Sequence, residues 1–176
     1  MPIPLVMTII SPDRTGLVES IARVVAEHGG NWLESRMCRL GGEFAGILRV
    51  EVPAANKPAL CEALQKLQVD GLQILFRADQ SAAPAAAGVQ TRLEIVGSDR
   101  PGIVRDITSA LARAGVNVEE FSSEVVSAPM SGETLFKAQA RLQLPDRCDL
   151  AALKKDLEKI AADLFVDVSF AEISGK

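Results

Sequence analysis

Histidine is nearly missing from this chain. His28 is the single one among 176 residues, so no histidine cluster can hold a metal and no second imidazole can complete a proton relay. Tyrosine is absent, and one tryptophan with six phenylalanines is the whole aromatic complement, too little for a platform on which bases stack. The net charge is −4, with acids and bases interspersed and no basic block. The electrostatic footprint of direct nucleic-acid binding is therefore missing. Cys38, Cys61 and Cys148 form no close pair and have no metal-ligand spacing, which reads as reduced thiols acting as small apolar side chains. A nucleophilic cysteine would need a base, and only His28 could serve. That residue shares helical spacing with Leu17, Ile21 and Val24, the place of a partly buried structural group. The carboxylates of Glu119, Glu120, Asp156 and Glu158 sit among polar residues and read as solvated. No apolar run approaches the roughly 20 residues of a membrane span, and Met1-Pro2-Ile3-Pro4 lacks the charged start of an export signal. These absences predict a cytoplasmic protein with no catalytic residue, no metal and no cofactor.

What is present is a duplication. Asp13-Arg14-Thr15-Gly16-Leu17-Val18 is followed by a helical stretch and Gly29-Gly30-Asn31; Asp99-Arg100-Pro101-Gly102-Ile103-Val104 is followed by a helical stretch and Gly115-Val116-Asn117. The offset is 86 residues between the two landmarks, long enough for a whole domain rather than a solenoid unit. Two domains of this size fit the length. Each would be marginally stable alone, so association between the two halves or between chains, giving a homo-oligomer, is expected, with exposed strand edges as natural surfaces for it. The boundaries read as 1–78 for the first domain, 79–89 for an Ala/Pro/Gly-rich linker and 90–176 for the second.

Within each half, periodicity predicts the order β-α-β-β-α-β. In the first half, Ile3, Leu5, Met7 and Ile9 alternate in a strand, and Leu17, Ile21, Val24 and Val25 recur along a helix that Gly29-Gly30 ends. Asn31 to Leu40 is a second strand, Gly41-Gly42 a hairpin turn, and Phe44 to Val52 a third strand closed by Pro53. Leu60, Leu64 and Leu67 mark the second helix; Leu72, Ile74 and Phe76 mark the fourth strand. The second half repeats this order, and its strand-closing Pro145 lies 92 residues after Pro53. The six extra residues fall around Ser127–Gly132. The fold class is α+β: two tandem ferredoxin-like domains, each an antiparallel four-stranded sheet with two helices on one face. On the other face of strand one, Val6, Thr8 and Ile10 are mostly apolar, whereas Arg92, Glu94 and Val96 are mostly polar. The first open face is expected to pack on something and the second to face water.

The repeated loop has chemistry of its own. Asp13 and Asp99 stand where a helix cap belongs, Pro101 where a first helical turn tolerates it, and Gly16 and Gly102 leave the backbone open. A helix start carries N–H groups without intrahelical partners, and it attracts a carboxylate. Asn31 and Asn117 offer amides that donate and accept. Together these suit a free α-amino acid, although turn punctuation alone accounts for each residue.

This pattern resembles the ACT domain, a small amino-acid-binding regulatory module with the same element order. The resemblance covers both halves, and two such modules without an attached enzyme look most like the glycine cleavage system transcriptional repressor family. It implies amino-acid binding at domain interfaces, near the first strand-to-helix loop and the start of strand two. Carried over by position, the ligand residues are Asp13, Arg14, Thr15, Gly16, Leu17 and Asn31, and Asp99, Arg100, Pro101, Gly102, Ile103 and Asn117. It further implies a non-enzymatic sensor of a small amino acid, glycine or serine, that regulates a protein partner such as a transcriptional activator. Thr15 departs from the proline found at Pro101, so the two sites are not equivalent. The alternative is an ACT-type interaction or oligomerisation module with no functional ligand site.

Overall fold

A computed structural model describes residues 1–79, 88–127 and 134–172. The chain divides into two compact units, Met1–Ala83 and Pro84–Lys176. The first contains β1 (Pro2–Pro12), α1 (Leu17–Glu27), β2 (Asn31–Leu40), β3 (Glu43–Pro53), α2 (Lys57–Lys66) and β4 (Gln73–Ala78). The second contains β5 (Gly88–Ser98), α3 (Ile103–Arg113), β6 (Asn117–Ser127), β7 (Thr134–Pro145), α4 (Leu150–Leu164) and β8 (Val166–Glu172). The strand orders are β2-β3-β1-β4 and β6-β7-β5-β8, every pairing antiparallel. Each unit is thus the expected ferredoxin-like sandwich. Of the linker expected over 79–89, residues 80–87 lie outside the described residues, and Gly88 and Val89 are the first residues of β5. The expected insertion around Ser127–Gly132 also falls largely outside them.

The elements follow from alternation and punctuation. Leu5, Met7 and Ile9 of β1 and Leu48, Val50 and Val52 of β3 are buried beneath Ile21, Val24, Val25, Leu60 and Leu64 of the two helices. Leu93, Ile95, Ala138, Ala140 and Leu142 do the same beneath Ile107, Leu111, Leu153 and Leu157. Gly41 and Gly42 both have positive φ, the backbone that a tight two-residue hairpin demands. β1 runs two residues past the predicted break, because Ser11 and Pro12 still pair with Phe44 and Glu43. His28 closes α1 with its Nδ1 2.8 Å from the Val24 carbonyl, while its own carbonyl accepts from Asn56 Nδ2 at 2.9 Å. That is the structural role expected of it.

One irregularity is duplicated. β2 slips register between Trp32 and Glu34, and β6 between Val118 and Glu120. The extra residues, Leu33 and Glu119, are bulges at equivalent positions. On the N-terminal side of the bulge, Trp32 faces the core and Asn31 faces outward.

The two cores are separate clusters. Truncating Leu64 to alanine, a side chain with no exposure, should therefore destabilise the first unit by about 2–5 kcal/mol and leave the second unit's unfolding unchanged. Calorimetry of the whole chain checks this by resolving which transition moves.

Candidate functional site

The strand-to-helix loops were the predicted site, and the structure gives them the same shape twice. Asp13 leaves β1 with its N–H donating to the Gly42 carbonyl at 2.8 Å; Asp99 leaves β5 with its N–H donating to the Thr134 carbonyl at 3.0 Å. The chain then turns through a left-handed glycine, Gly16 at φ 91° or Gly102 at φ 99°. Leu17 and Ile103 follow at once as buried first residues of the helices.

Two expectations are corrected here. Asp13 and Asp99 do not cap the helices. The cap residues are Gly16 and Gly102, and neither helix start receives a side-chain cap hydrogen bond. The glycine turn puts the cap three residues past the aspartate and the first helical residue four past it. The Asp13 carboxylate is engaged instead by Arg39 Nε at 2.5 Å, from the penultimate residue of β2. Likewise Pro101 precedes the cap and shapes the turn; it is not part of the first helical turn.

The consequence is an open helix start. The first main-chain hydrogen bonds run from Ser20 N–H to the Gly16 carbonyl and from Asp106 N–H to the Gly102 carbonyl, each 2.9 Å. The N–H groups of the three residues between have no intrahelical acceptor, and the helix dipole adds partial positive charge. In the first unit these groups border a cleft of about 270 Å³ lined by Asp13, Arg14, Gly16, Leu17, Val18, Glu19 and Phe44. Thr15 lies exposed in the same turn.

The two starts differ in charge. Beside Gly16 stands Glu19, paired with Arg23 at 3.4 Å. At the equivalent position stands Arg105, whose Nε donates to Asp106 at 2.7 Å. That hydrogen bond holds the Asp106 carboxyl below its ordinary range and the Arg105 guanidinium above its own. Each helix start therefore carries an acid–base pair, Glu19 with Arg23 at α1 and Arg105 with Asp106 at α3, and the residue that follows the cap by three is an acid in one and a cation in the other.

Asn31 and Asn117 do begin their strands and are exposed, but neither stands beside the loop of its own unit. Asn31 pairs with Glu51, which is level with Pro4; Asn117 pairs with Gln143, level with Gln90. The loops leave the sheets after Pro12 and Ser98. Eight residues of strand, about 26 Å, separate the amide from the loop in both units. β2 runs in the same direction as β1 and starts level with its beginning, so the asparagine and the loop lie at opposite ends of one sheet.

One residue at this loop was missed. Phe165 ends α4 with φ 57°, the one described non-glycine residue at positive φ. It is 65% exposed, and the Arg100 guanidinium lies 4.4 Å from its ring centre. A phenylalanine in this conformation is strained, and the cation–π contact fixes the arginine of the second loop. Gly71 holds the left-handed turn before β4. Sequence offers no marker for a left-handed phenylalanine. Elsewhere, burial pushes the Cys61 thiol up, with Lys57 opposing in part, which disfavours a reactive thiolate. No group of three or more metal-ligating side chains occurs among the described residues, and no helix among them is long and apolar enough to cross a membrane.

The chain consists of two ACT domains in tandem: residues 4–77 and residues 86–162 each match the ACT domain, and the chain belongs to that family. It is an ACT-domain regulatory protein related to the glycine cleavage system transcriptional repressor of Escherichia coli K12, with 26% identity over 168 residues, covering 91% of this chain and 85% of that protein. Its fold matches that of a Galdieria sulphuraria protein of unknown function with a TM-score of 0.86 and 28% identity, over 98% of this chain and 99% of that one. A second solved structure, of a candidate glycine cleavage system transcriptional repressor, shares the fold with a TM-score of 0.71 at 20% identity, over 99% of both chains.

Two substitutions test the loop geometry. A Cβ on Gly16 would meet nothing within 4 Å, so Gly16→Ala should cost only the left-handed strain, about 1–2 kcal/mol, read from urea unfolding. Phe165→Gly should leave stability within about 1 kcal/mol, since relief of that strain offsets the lost stack and the added chain entropy. Phe165→Leu keeps the strain, loses the stack and should cost about 0.5–1 kcal/mol.

Proposed function

We propose that this chain is a non-enzymatic, cytoplasmic amino-acid sensor in which a small amino acid, glycine or serine, binds at the open helix starts and alters engagement of a protein partner. The observation carrying this reading is the paired, uncapped helix start at Gly16 and Gly102, each with no side-chain cap hydrogen bond. A carboxylate accepts from the free N–H groups and is favoured by the helix dipole. Glycine at the cap position lets a ligand approach the backbone closely. The cleft of about 270 Å³ beside Gly16 suits a ligand of a few heavy atoms. Asp13 and Arg14, with Asp99 and Arg100, shape the rims. The stacked Arg100 adds a fixed cation at the α3 loop, while Arg105 is engaged by Asp106 and Glu19 by Arg23.

The separation of Asn31 and Asn117 from the loops of their own units gives the sensor its logic. β2 and β6 are edge strands. When such an edge pairs antiparallel with its counterpart in a second copy, the start of one strand comes beside the end of the other. An asparagine carbonyl can then accept from the ammonium of an amino acid whose carboxylate sits on the neighbouring helix. A ligand held by two units favours the state in which they are paired. It can shift that equilibrium only through this difference in affinity. The protein partner, a transcriptional activator as the family resemblance implies, would distinguish the paired from the unpaired state.

A ligand that binds only the folded protein raises its melting temperature with concentration. Glycine or serine should do so selectively in a panel of the twenty amino acids. Asn31→Ala with Asn117→Ala should abolish the rise without lowering the unliganded melting temperature. A flat panel would leave the interaction module without a ligand as the better reading, and an unchanged rise in the double variant would remove the asparagines from the site.

A further inference from the structure

The two units share one fold and one register, so each serves as a control for the other. Their helix-free sheet faces differ sharply. Across the middle of the first face, Arg36, Ile47, Thr8 and Leu75 lie in one cross-strand row, with Ala45 and Ile10 in the next. Ile47 is 55%, Leu75 53% and Ile10 41% exposed. The matching row of the second face reads Ser122, Gln139, Glu94 and Ser169, with Gln139 donating to Glu94 at 3.4 Å. The fold therefore accepts a polar face, and the apolar one needs a reason of its own.

We infer that the open sheet face of the first unit is a self-association surface, packing against the same face of a second copy about a two-fold axis parallel to the strands. The choice of occupant rests on charge. One row beyond the apolar centre, the order across the sheet is Glu34, Arg49, Val6, Arg77. Arg49 is already held by Asp79 at 2.6 Å, and Glu34 stands 3.2 Å from Arg36 in the next row of its own strand. Arg77, at the opposite edge from Glu34, takes part in no ion pair among the described residues. A two-fold axis parallel to the strands lays β2 over the partner's β4 and keeps each row opposite itself. Glu34 then lies between its own Arg36 and the Arg77 guanidinium of the second copy, twice; Ile47 covers Thr8, Ala45 covers Ile10, and the stem of Arg36 lies over Leu75 with its head on Glu34. A perpendicular axis would set the charged row against Ile10 and Pro12, burying charge without a partner. The first arrangement gives Arg77 an acid and keeps the apolar centre on itself. Sheets packed this way stand about 10 Å apart and cross at roughly 30°. The surface is distinct from the strand edges and from the helix starts, and the inference does not depend on amino-acid binding.

Sedimentation velocity of the full chain over a concentration series tests it. Thr8→Glu with Ile47→Gln and Leu75→Ser installs residues that the second unit carries at the same register. It should weaken the association about tenfold or more, halving the mass at matched concentration, with the circular-dichroism melt unchanged. Charge exchange keeps the test sharp should that triple variant fold poorly. Arg77→Glu alone and Glu34→Arg alone should each weaken association, and the two together should restore it. A wild-type chain that stays monomeric, or association curves that coincide for wild type and every variant, would overturn the inference. An amino-acid-induced melting shift that persists in the dissociated variants would separate this surface from the ligand reading.

Discussion

A chain that leaves a central strand must reverse within a few residues if the first residue of the next helix is to reach the core. In this protein the strands end at Pro12 and Ser98, and Leu17 and Ile103 are already buried. The aspartates fix the departure by donating their N–H groups to the neighbouring hairpin, at the Gly42 and Thr134 carbonyls. A left-handed glycine makes the reversal. No side chain is left in position to cap the helix, because the capping place is occupied by a residue that has none. The uncapped N–H groups thus follow from a packing requirement on Leu17 and Ile103.

Duplication lets the structure be read by difference. The strand registers, the bulges, the glycine turns and the closing prolines agree between halves, and these set the fold. What differs lies on surfaces. Arg105 replaces Glu19 beside the helix start, an apolar sheet face in one unit is polar in the other, and Phe165 stacks on the arginine of the second loop. The two units therefore share a scaffold and differ in what they present, one an apolar sheet face and the other an arginine stacked at its loop.

Much of the fold was legible in the residues. Asn31–Leu40 stands where alternation and the double glycine placed it, and Pro53 and Pro145 close their strands. The contrast between the open faces was visible from Val6, Thr8 and Ile10 against Arg92, Glu94 and Val96, and cross-strand pairing extends it to Ile47 and Leu75. The site was legible only in part. Aspartate before an apolar periodicity normally signals a cap, but here a positive-φ glycine postpones the helix, and φ is not written in a sequence that uses glycine for many turns. The contact of Arg100 with Phe165 joins the start of the unit to its end through a conformation that phenylalanine rarely takes. The distance from Asn31 to its own loop follows from topology, since a second strand parallel to the first must begin at the far end of the sheet.

The paired bulges at Leu33 and Glu119 bear on how these sequences can drift. A strand alternates its faces with period two, so one extra residue exchanges the faces of everything before it. Trp32 faces the core and Asn31 faces outward only because Leu33 is present. Loss of that one residue would leave the length of β2 almost unchanged and yet send the asparagine inward and the indole into water. The halves differ by six residues between Asn31 and Pro53 on one side and Asn117 and Pro145 on the other, yet both keep the bulge at the same distance from the asparagine. Length in this stretch is free to change everywhere except at one residue, where the count is a matter of parity.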